Sequence, residues 1–427
     1  MAPAPDLLQS KRLRKPLVLL LMLASAALPA LAQQSSRLIV ATFPDLDRAA
    51  KAAAGRWAQL HPRVELKIVS LQYADHHTAM TTALATGSGL PDVMALDFRF
   101  IGKFAASGGL EDLAQPPFNA MALRDQFVRY SFPQAINAKG ALAAIPTDIG
   151  PGTLLYRKDI ADRAGVSELE LTQSWDSYLA AGKKIKAATG AYLMADASDL
   201  RDILLRSGLK DGEGIYFDGQ GKVLVESPRF VQAFELGREA RRAGLDAKVA
   251  AWTNDWAAGF KQGRIATQMM GAWLTGHLRN WLAPETTGLW RSTTLPGGLH
   301  ASYGGSFYAI PKKAANKQAA WDFIRLMAAD KDTQLNSLRV LDTFPALIAA
   351  QQDPLMEEPI AFLGGQKARL LWRDIASKVP AVPVNKHDAT ATNIIRDEFE
   401  QVLTEGKDIA KALKDARVLI EHRARRR

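Results

Sequence analysis

The 427-residue chain contains no cysteine. That absence excludes structural disulfides, thiolate metal sites, cysteine nucleophiles and dithiol redox motifs together. Histidine is scarce, with seven in the chain, and the one adjacent pair is His76-His77. Neighbours on a helix point to different sides, unlike an i, i+4 pair that converges on a metal. They read as two solvated side chains, and neither a metal nor a cofactor is expected. No GxxxxGK[ST] loop and no GxGxxG after a strand occurs. Gly304-Gly305-Ser306 runs into Phe307-Tyr308 and so fails the GxSxG pattern. Ser207-Gly208-Leu209-Lys210 matches SxxK, but the SDN and KTG partners are missing, so it reads as a helix end. No spacing marks two acids as a glycosidic pair, whose separation of ~5–10 Å is a spatial property. These absences favour binding over catalysis.

Apolar runs of membrane-spanning length are also lacking. Lys11, Arg12, Arg14 and Lys15 precede an apolar run from Leu17 to about Leu28, and Ala30-Leu31-Ala32 follows. The run is shorter than the ~20 residues that span a bilayer. This is the pattern of a cleaved export signal, residues 1–32, with cleavage after Ala32 and a mature start at Gln33. With no cysteine to carry a lipid anchor, the expected location is free in the periplasm. The remaining length exceeds one comfortable core and suggests two lobes. The formal charge is +10, but Arg423, Arg425, Arg426 and Arg427 cluster at the extreme C-terminus. They read as a solvated helix end, where cations favour the helix dipole, and no nucleic-acid partner is expected.

What is present is alternation of strands and helices. Arg37–Thr42, Val64–Leu71 and Asp92–Leu96 read as strands. Leu46–Leu60 and about Asp75–Thr86 read as helices between them. The order βαβαβ predicts an α/β lobe with a mostly parallel sheet. Two short strands, Ala143–Pro146 and Thr153–Arg157, flank Thr147-Asp148-Ile149-Gly150-Pro151-Gly152, a candidate hinge. Beyond it a strand is expected at Ala191–Ala195, a hairpin at Phe217–Val223, and helix, strand, helix over 254–281. Ala301–Lys313, with its Gly pair, reads as a strand, and Arg339–Pro345 as a further joint.

Five segments in order carry a resemblance. They are Pro91–Asp97 with Phe104–Leu113; Ile149–Asp159; Gln173–Tyr178; Phe260–Ala266 with Met269–Trp273; and Gly304–Lys312 with the helix after it. Together they resemble family 1 extracellular solute-binding proteins, the sugar-type, maltose-binding-like receptors of ABC importers. The resemblance spans residues 37–420. It implies an α/β fold of two lobes joined by three crossings, ligand held in the cleft, and closure by hinge bending. The corresponding division is 33–148 and 303–342 in the first lobe, 149–302 and 343–427 in the second. A monomer that binds a carbohydrate and docks on a membrane permease is implied by the same resemblance. The alternatives are a receptor of this fold for a polyamine, a glycerol phosphate or an organic anion, or a secreted carbohydrate-active enzyme.

A sugar offers hydroxyls to carboxylates and C–H faces to aromatic rings. Asp97 ends a predicted strand, where α/β sheets present ligands, and matches a ligand acid of the family; its other role is a turn or helix cap. Asp45 follows the first strand, with a helix N-cap as the alternative. Asp148 lies on the first crossing and either touches ligand or braces the hinge. Trp273 matches the family's stacking tryptophan, against a role in core packing. Tyr303, Gly304 and Gly305 would line the return crossing. Asp196 and Asp199 are second-lobe candidates for which helix capping competes. Trp57, Trp175 and Trp321 read as core, as does Trp256 with a cleft role left open. The loop Thr42–Asp45 lacks the tryptophan many relatives carry, and Pro380–Asn385 lacks the nearby aromatic. A pocket with few stacking platforms, suited to a small polar ligand, is therefore expected.

Overall fold

The computed structural model describes residues 36–425. The segment 1–32, expected to be an export signal, lies outside them, as do Arg426 and Arg427. Among the described residues, no helix is long and apolar enough to cross a membrane.

The β-branched and apolar residues of Ser36–Thr42 (β1), Val64–Ser70 (β2) and Val93–Asp97 (β3) form the first strands. They stand in the order β2-β1-β3, with β1 and β3 parallel. The expected helix at 46–60 is two, Leu46–Ala52 and Ala54–Leu60, joined at Ala53. Tyr73–Thr86 returns the chain to β3 and ends at Gly87, whose φ of 69° suits a residue without Cβ.

The joint near 147–152 is not a break. Ile145–Arg157 (β4) is one strand of 13 residues. Its first half pairs with Ser302–Ala309 (β7) and Phe344–Pro345 (β8). Its second half pairs with Thr267–Gly271 (β5) and Trp290–Thr293 (β6). Register shifts at 146/148 and 149/151 absorb Pro146, Gly150 and Pro151. A bulge lets a strand bend while its neighbours keep pairing. The chain therefore stays hydrogen-bonded while passing from one half of the eight-stranded sheet to the other. The expected strand at 191–195 makes isolated bridges only, Tyr192 to Ile265 and Met194 to Asp246. Helix 274–277 continues into a wider π turn at Leu278–Leu282.

Buried apolar side chains form two clusters, and the segment 149–302 contributes to both. The first gathers Leu38, Val93, Leu96, Phe104, Phe307, Tyr308, Phe323 and Ile324. The second gathers Leu154, Tyr178, Leu193, Phe230, Phe234 and Phe399. The segment 343–427, expected in the second lobe, also contributes to both. Phe344, Trp372 and Val379 lie in the first cluster, and Ala391, Phe399 and Ile420 in the second. Helix Ala368–Lys378 buries an apolar stripe, and extended chain follows it before helix Asp388–Thr404 begins.

Candidate functional site

The site is assembled where the strand ends meet the two crossings. Asp97 closes β3 and lies opposite Ser306 of β7, whose other neighbour across the sheet is Asp148 of β4. Two expected site acids thus flank one serine. The Asp97 carboxylate accepts a hydrogen bond from the Tyr73 hydroxyl at 2.8 Å and from the Arg99 amide at 2.9 Å. Burial pushes its pKa up, opposed by the Arg99 guanidinium. Burial also pushes Asp148 up to about 7.

His76 and His77 are not solvated; both are buried. The two rings do point to different sides of the helix, and both sides are covered. His77 Nδ1 lies 2.7 Å from the Tyr73 carbonyl oxygen, while Nε2 accepts from the Asp97 amide at 3.1 Å. A carbonyl only accepts, so the proton sits on Nδ1 and the ring is neutral. Desolvation lowers the pKa of both histidines to about 4. His77 thereby fixes the strand end that carries Asp97.

Trp273 begins the turn after β5. Its Nε1 donates to the Tyr303 carbonyl at 2.7 Å. The indole lies over backbone bare of side chains: a Cβ on Gly271 would stand 2.1 Å from Nε1, and one on Gly304 2.6 Å. Gly304 and Gly305 have φ of 105° and 126°, conformations that any side chain would strain. Glycine is required here for close approach, which is what places the ring on the crossing.

Around Trp273 stand residues that sequence reasoning missed. Trp252, half exposed with φ 69°, holds its ring nearly parallel to Trp273, with centroids 6.0 Å apart. A bulky residue at positive φ is rare and strained. His277 packs edge-on to both tryptophans, and its Nε2 lies 3.1 Å from Asp45 Oδ2. Trp281 Nε1 donates to His277 Nδ1, so Nε2 carries the proton and donates to Asp45. Asp45 itself has φ 73° and makes no side-chain cap to the helix it precedes.

On the other side, Tyr303 carries the Arg206 guanidinium 4.6 Å above its ring, and its hydroxyl donates to Asp202 at 3.5 Å. Arg201 grips Asp202 at 2.7 and 2.9 Å. Arg99 is exposed to solvent, yet its charge is raised in pKa by Tyr73, Asp97, Tyr303 and Asp202. Water and surrounding protein groups on several sides are what a cleft provides. Asp196 is tied to Arg241 at 2.9 Å and to the Ser198 amide at 2.8 Å, the geometry of a helix start. Asp199 is pushed up to about 7 by burial and reaches Tyr303 through its field. Asp45, Asp97, Asp148, Trp273, Tyr303, Gly304 and Gly305 are therefore joined through direct contacts or cross-strand neighbours, and Asp196 and Asp199 stand behind them. Arg99 was detectable as a loop residue two positions past Asp97. Trp252, His277 and Arg206 carry no local sequence signal. Among the described residues, no three His, Asp or Glu converge to hold a metal.

Comparison with known proteins adds the family. Residues 41–334 match the bacterial extracellular solute-binding proteins. A lactose-binding protein of Rhizobium radiobacter is 29% identical over 349 residues, 78% of this chain and 79% of that protein. The crystal structure of an extracellular solute-binding protein of family 1 superposes with a TM-score of 0.78 at 21% identity, covering 91% of this chain and 99% of that one. A binding protein from B. animalis subsp. lactis Bl-04, in complex with beta-1,6-galactobiose, gives 0.76 at 23%, covering 91% and 97%. The two-lobed architecture, the sheet shared across β4 and the match over most of the sequence agree: the chain belongs to the bacterial extracellular solute-binding proteins.

Proposed function

We propose that this protein captures a carbohydrate between its lobes in the periplasm and delivers it, as a monomer, to the permease of an ABC importer. The observation that carries the reading is the seating of Trp273 on Gly271 and Gly304, within a hydrogen bond of Tyr303 and one residue, His277, from Asp45. A rigid aromatic face bordered by carboxylates suits a ring that presents C–H on its faces and hydroxyls on its rim. The names of the relatives, among them lactose- and arabinooligosaccharide-binding proteins, support a saccharide. Trp252 adds a second aromatic face beside Trp273, so a disaccharide fits better than the small polar ligand expected from sequence. Binding alone accounts for the arrangement, with no catalytic step.

Closure follows if the ligand contacts both lobes, because only differential affinity for the closed state shifts the equilibrium. Calorimetric titration of the mature protein with mono- and disaccharides, polyols and glycerol phosphates tests the reading. Micromolar or tighter binding of at least one saccharide is expected. Binding of a polyamine with no saccharide response would replace it, and turnover of an oligosaccharide would make the protein an enzyme.

A further inference from the structure

Behind Tyr303 lies a cavity of about 30 Å³ that the aromatic site does not use. At ~10–15 Å³ per water-sized group, it holds about two. Its apolar wall includes Phe98, Leu209 and Val382, and its polar wall includes Gln134, Ser302 and Arg206. Arg206 is only 5% exposed. Its Nη1 donates to the Asp202 carbonyl at 2.6 Å, while Nε is buried without a hydrogen-bond partner among the described residues. Ser302 Oγ is buried beside the Tyr130 hydroxyl. An unmet donor on a buried cation is costly, since both the charge and the N–H lose water.

The guanidinium is held between two rings, Tyr303 at 4.6 Å and Phe98 at 5.5 Å from their centroids. Three arginines, Arg99, Arg201 and Arg206, share this corner with three carboxylates, Asp97, Asp199 and Asp202. Arg201 and Asp202 are paired at 2.7 Å, and the Arg99 charge is felt by Tyr73, Asp97, Tyr303 and Asp202. Arg206 makes no direct ion pair among the described residues and is held by the Asp202 carbonyl instead. The low-polarity wall strengthens whatever anion meets it.

We infer that this cavity receives the carboxylate of an acidic sugar, with Arg206 as its charged partner and Ser302 and Gln134 as further polar contacts. The inference rests on the carbohydrate reading and narrows it to uronic-acid-containing ligands. A planar group with two oxygens fits the room for two water-sized atoms. Arginine presents parallel N–H groups to such a carboxylate. The sugar ring attached to it would then extend past Tyr303 towards Trp273, whose ring centroid is 6.5 Å away.

Titration with matched pairs tests this: D-galacturonate against D-galactose, D-glucuronate against D-glucose, and digalacturonate against galactobiose. At least one acid should bind ten-fold or more tightly than its neutral partner. Arg206→Gln should abolish that preference, and Arg206→Lys should retain part of it. Circular dichroism melting establishes that both variants fold. Equal or weaker binding of every acid than its neutral partner overturns the inference and leaves the carbohydrate reading standing. An acid preference that survives Arg206→Gln also overturns it. If no saccharide of either kind binds, the carbohydrate reading falls and this inference with it.

Discussion

The indole nitrogen of Trp273 donates a hydrogen bond to the backbone carbonyl of Tyr303 at 2.7 Å, joining residues thirty positions apart on the two sides of the second crossing. One contact thereby fixes both the aromatic face and the path of the strand that returns to the first lobe. Gly150 lies beneath it: a Cβ there would stand 2.0 Å from the same carbonyl oxygen.

Gly271→Ala should therefore damage the site more than an exposed glycine substitution. Its Cβ cannot share space with Trp273 Nε1 and must move the ring. Overpacking of this kind costs roughly 1–3 kcal/mol, visible as a lowered melting temperature. Ligand affinity should fall at least ten-fold, about 1.4 kcal/mol. Unchanged affinity with an unmoved tryptophan fluorescence spectrum would show that the ring tolerates the intrusion.

The two tryptophans should separate in their effects. Trp273→Ala removes a ring anchored by backbone on three sides, and a loss of roughly 2 kcal/mol in binding is expected for such a central aromatic. Trp252 is half exposed and held by its neighbours alone, so Trp252→Ala should cost less than ten-fold for a monosaccharide and more for a longer ligand. Calorimetry on both variants with one mono- and one disaccharide reads the difference.

Asp148 makes stability depend on pH. Its pKa in the folded protein is about 7 because of burial, against about 3.9 in an unfolded chain. Between those values the folded state holds a proton that the unfolded chain has lost. This group's contribution is thus complete at low pH and disappears as pH rises from about 4 through 7. Asp199 and Asp388, also near 7, act in the same direction. His76 and His77, near 4, act oppositely as pH rises from about 4 to 6.5. Comparing ligand-free Asp148→Asn with its parent isolates one term. The variant's gain in melting temperature should be larger at pH 7.5 than at pH 4.5, and a gain independent of pH would count against the assignment.

The second lobe depends on its C-terminal helices. Phe234 and Phe399 pack edge-to-face at 5.0 Å, both fully buried, joining helix Pro228–Arg242 to helix Asp388–Thr404. Phe234→Ala should cost about 3–5 kcal/mol by transfer and cavity terms. Chemical denaturation followed by circular dichroism measures it. A loss under 1 kcal/mol would mean that the helices do not rely on this contact.

The alternation of apolar residues in Val64–Ser70, the Gly stop after Thr86 and the Ser-Trp helix start at Ser174–Trp175 were all legible, because local backbone preference and burial agree there. Ser174 caps its helix through the Ser177 amide at 3.0 Å. The Gly/Pro stretch 147–152 misled in one respect. Its residues break a strand locally, but β7 supplies hydrogen bonds across the bulges, and long-range pairing outweighs local preference. The His76-His77 pair misled for a similar reason: sequence spacing shows that two rings diverge, not whether both are covered.

The acids and aromatics expected at strand ends and crossings could be proposed from sequence because loops after strands collect ligand groups in any α/β sheet. Composition and segment order determined the two-lobed class, the lack of thiol chemistry and the identity of Trp273, Tyr303 and Gly304 as one neighbourhood. Tertiary structure alone decided how that neighbourhood is charged. Arg206 and Asp202 sit on or beside a helix, Arg99 at a strand exit and Trp252 in a loop, with no shared period or spacing. Their meeting around Tyr303 and Trp273 depends on two lobes folding against each other, and pairwise distances across lobes are not encoded in any local stretch of chain.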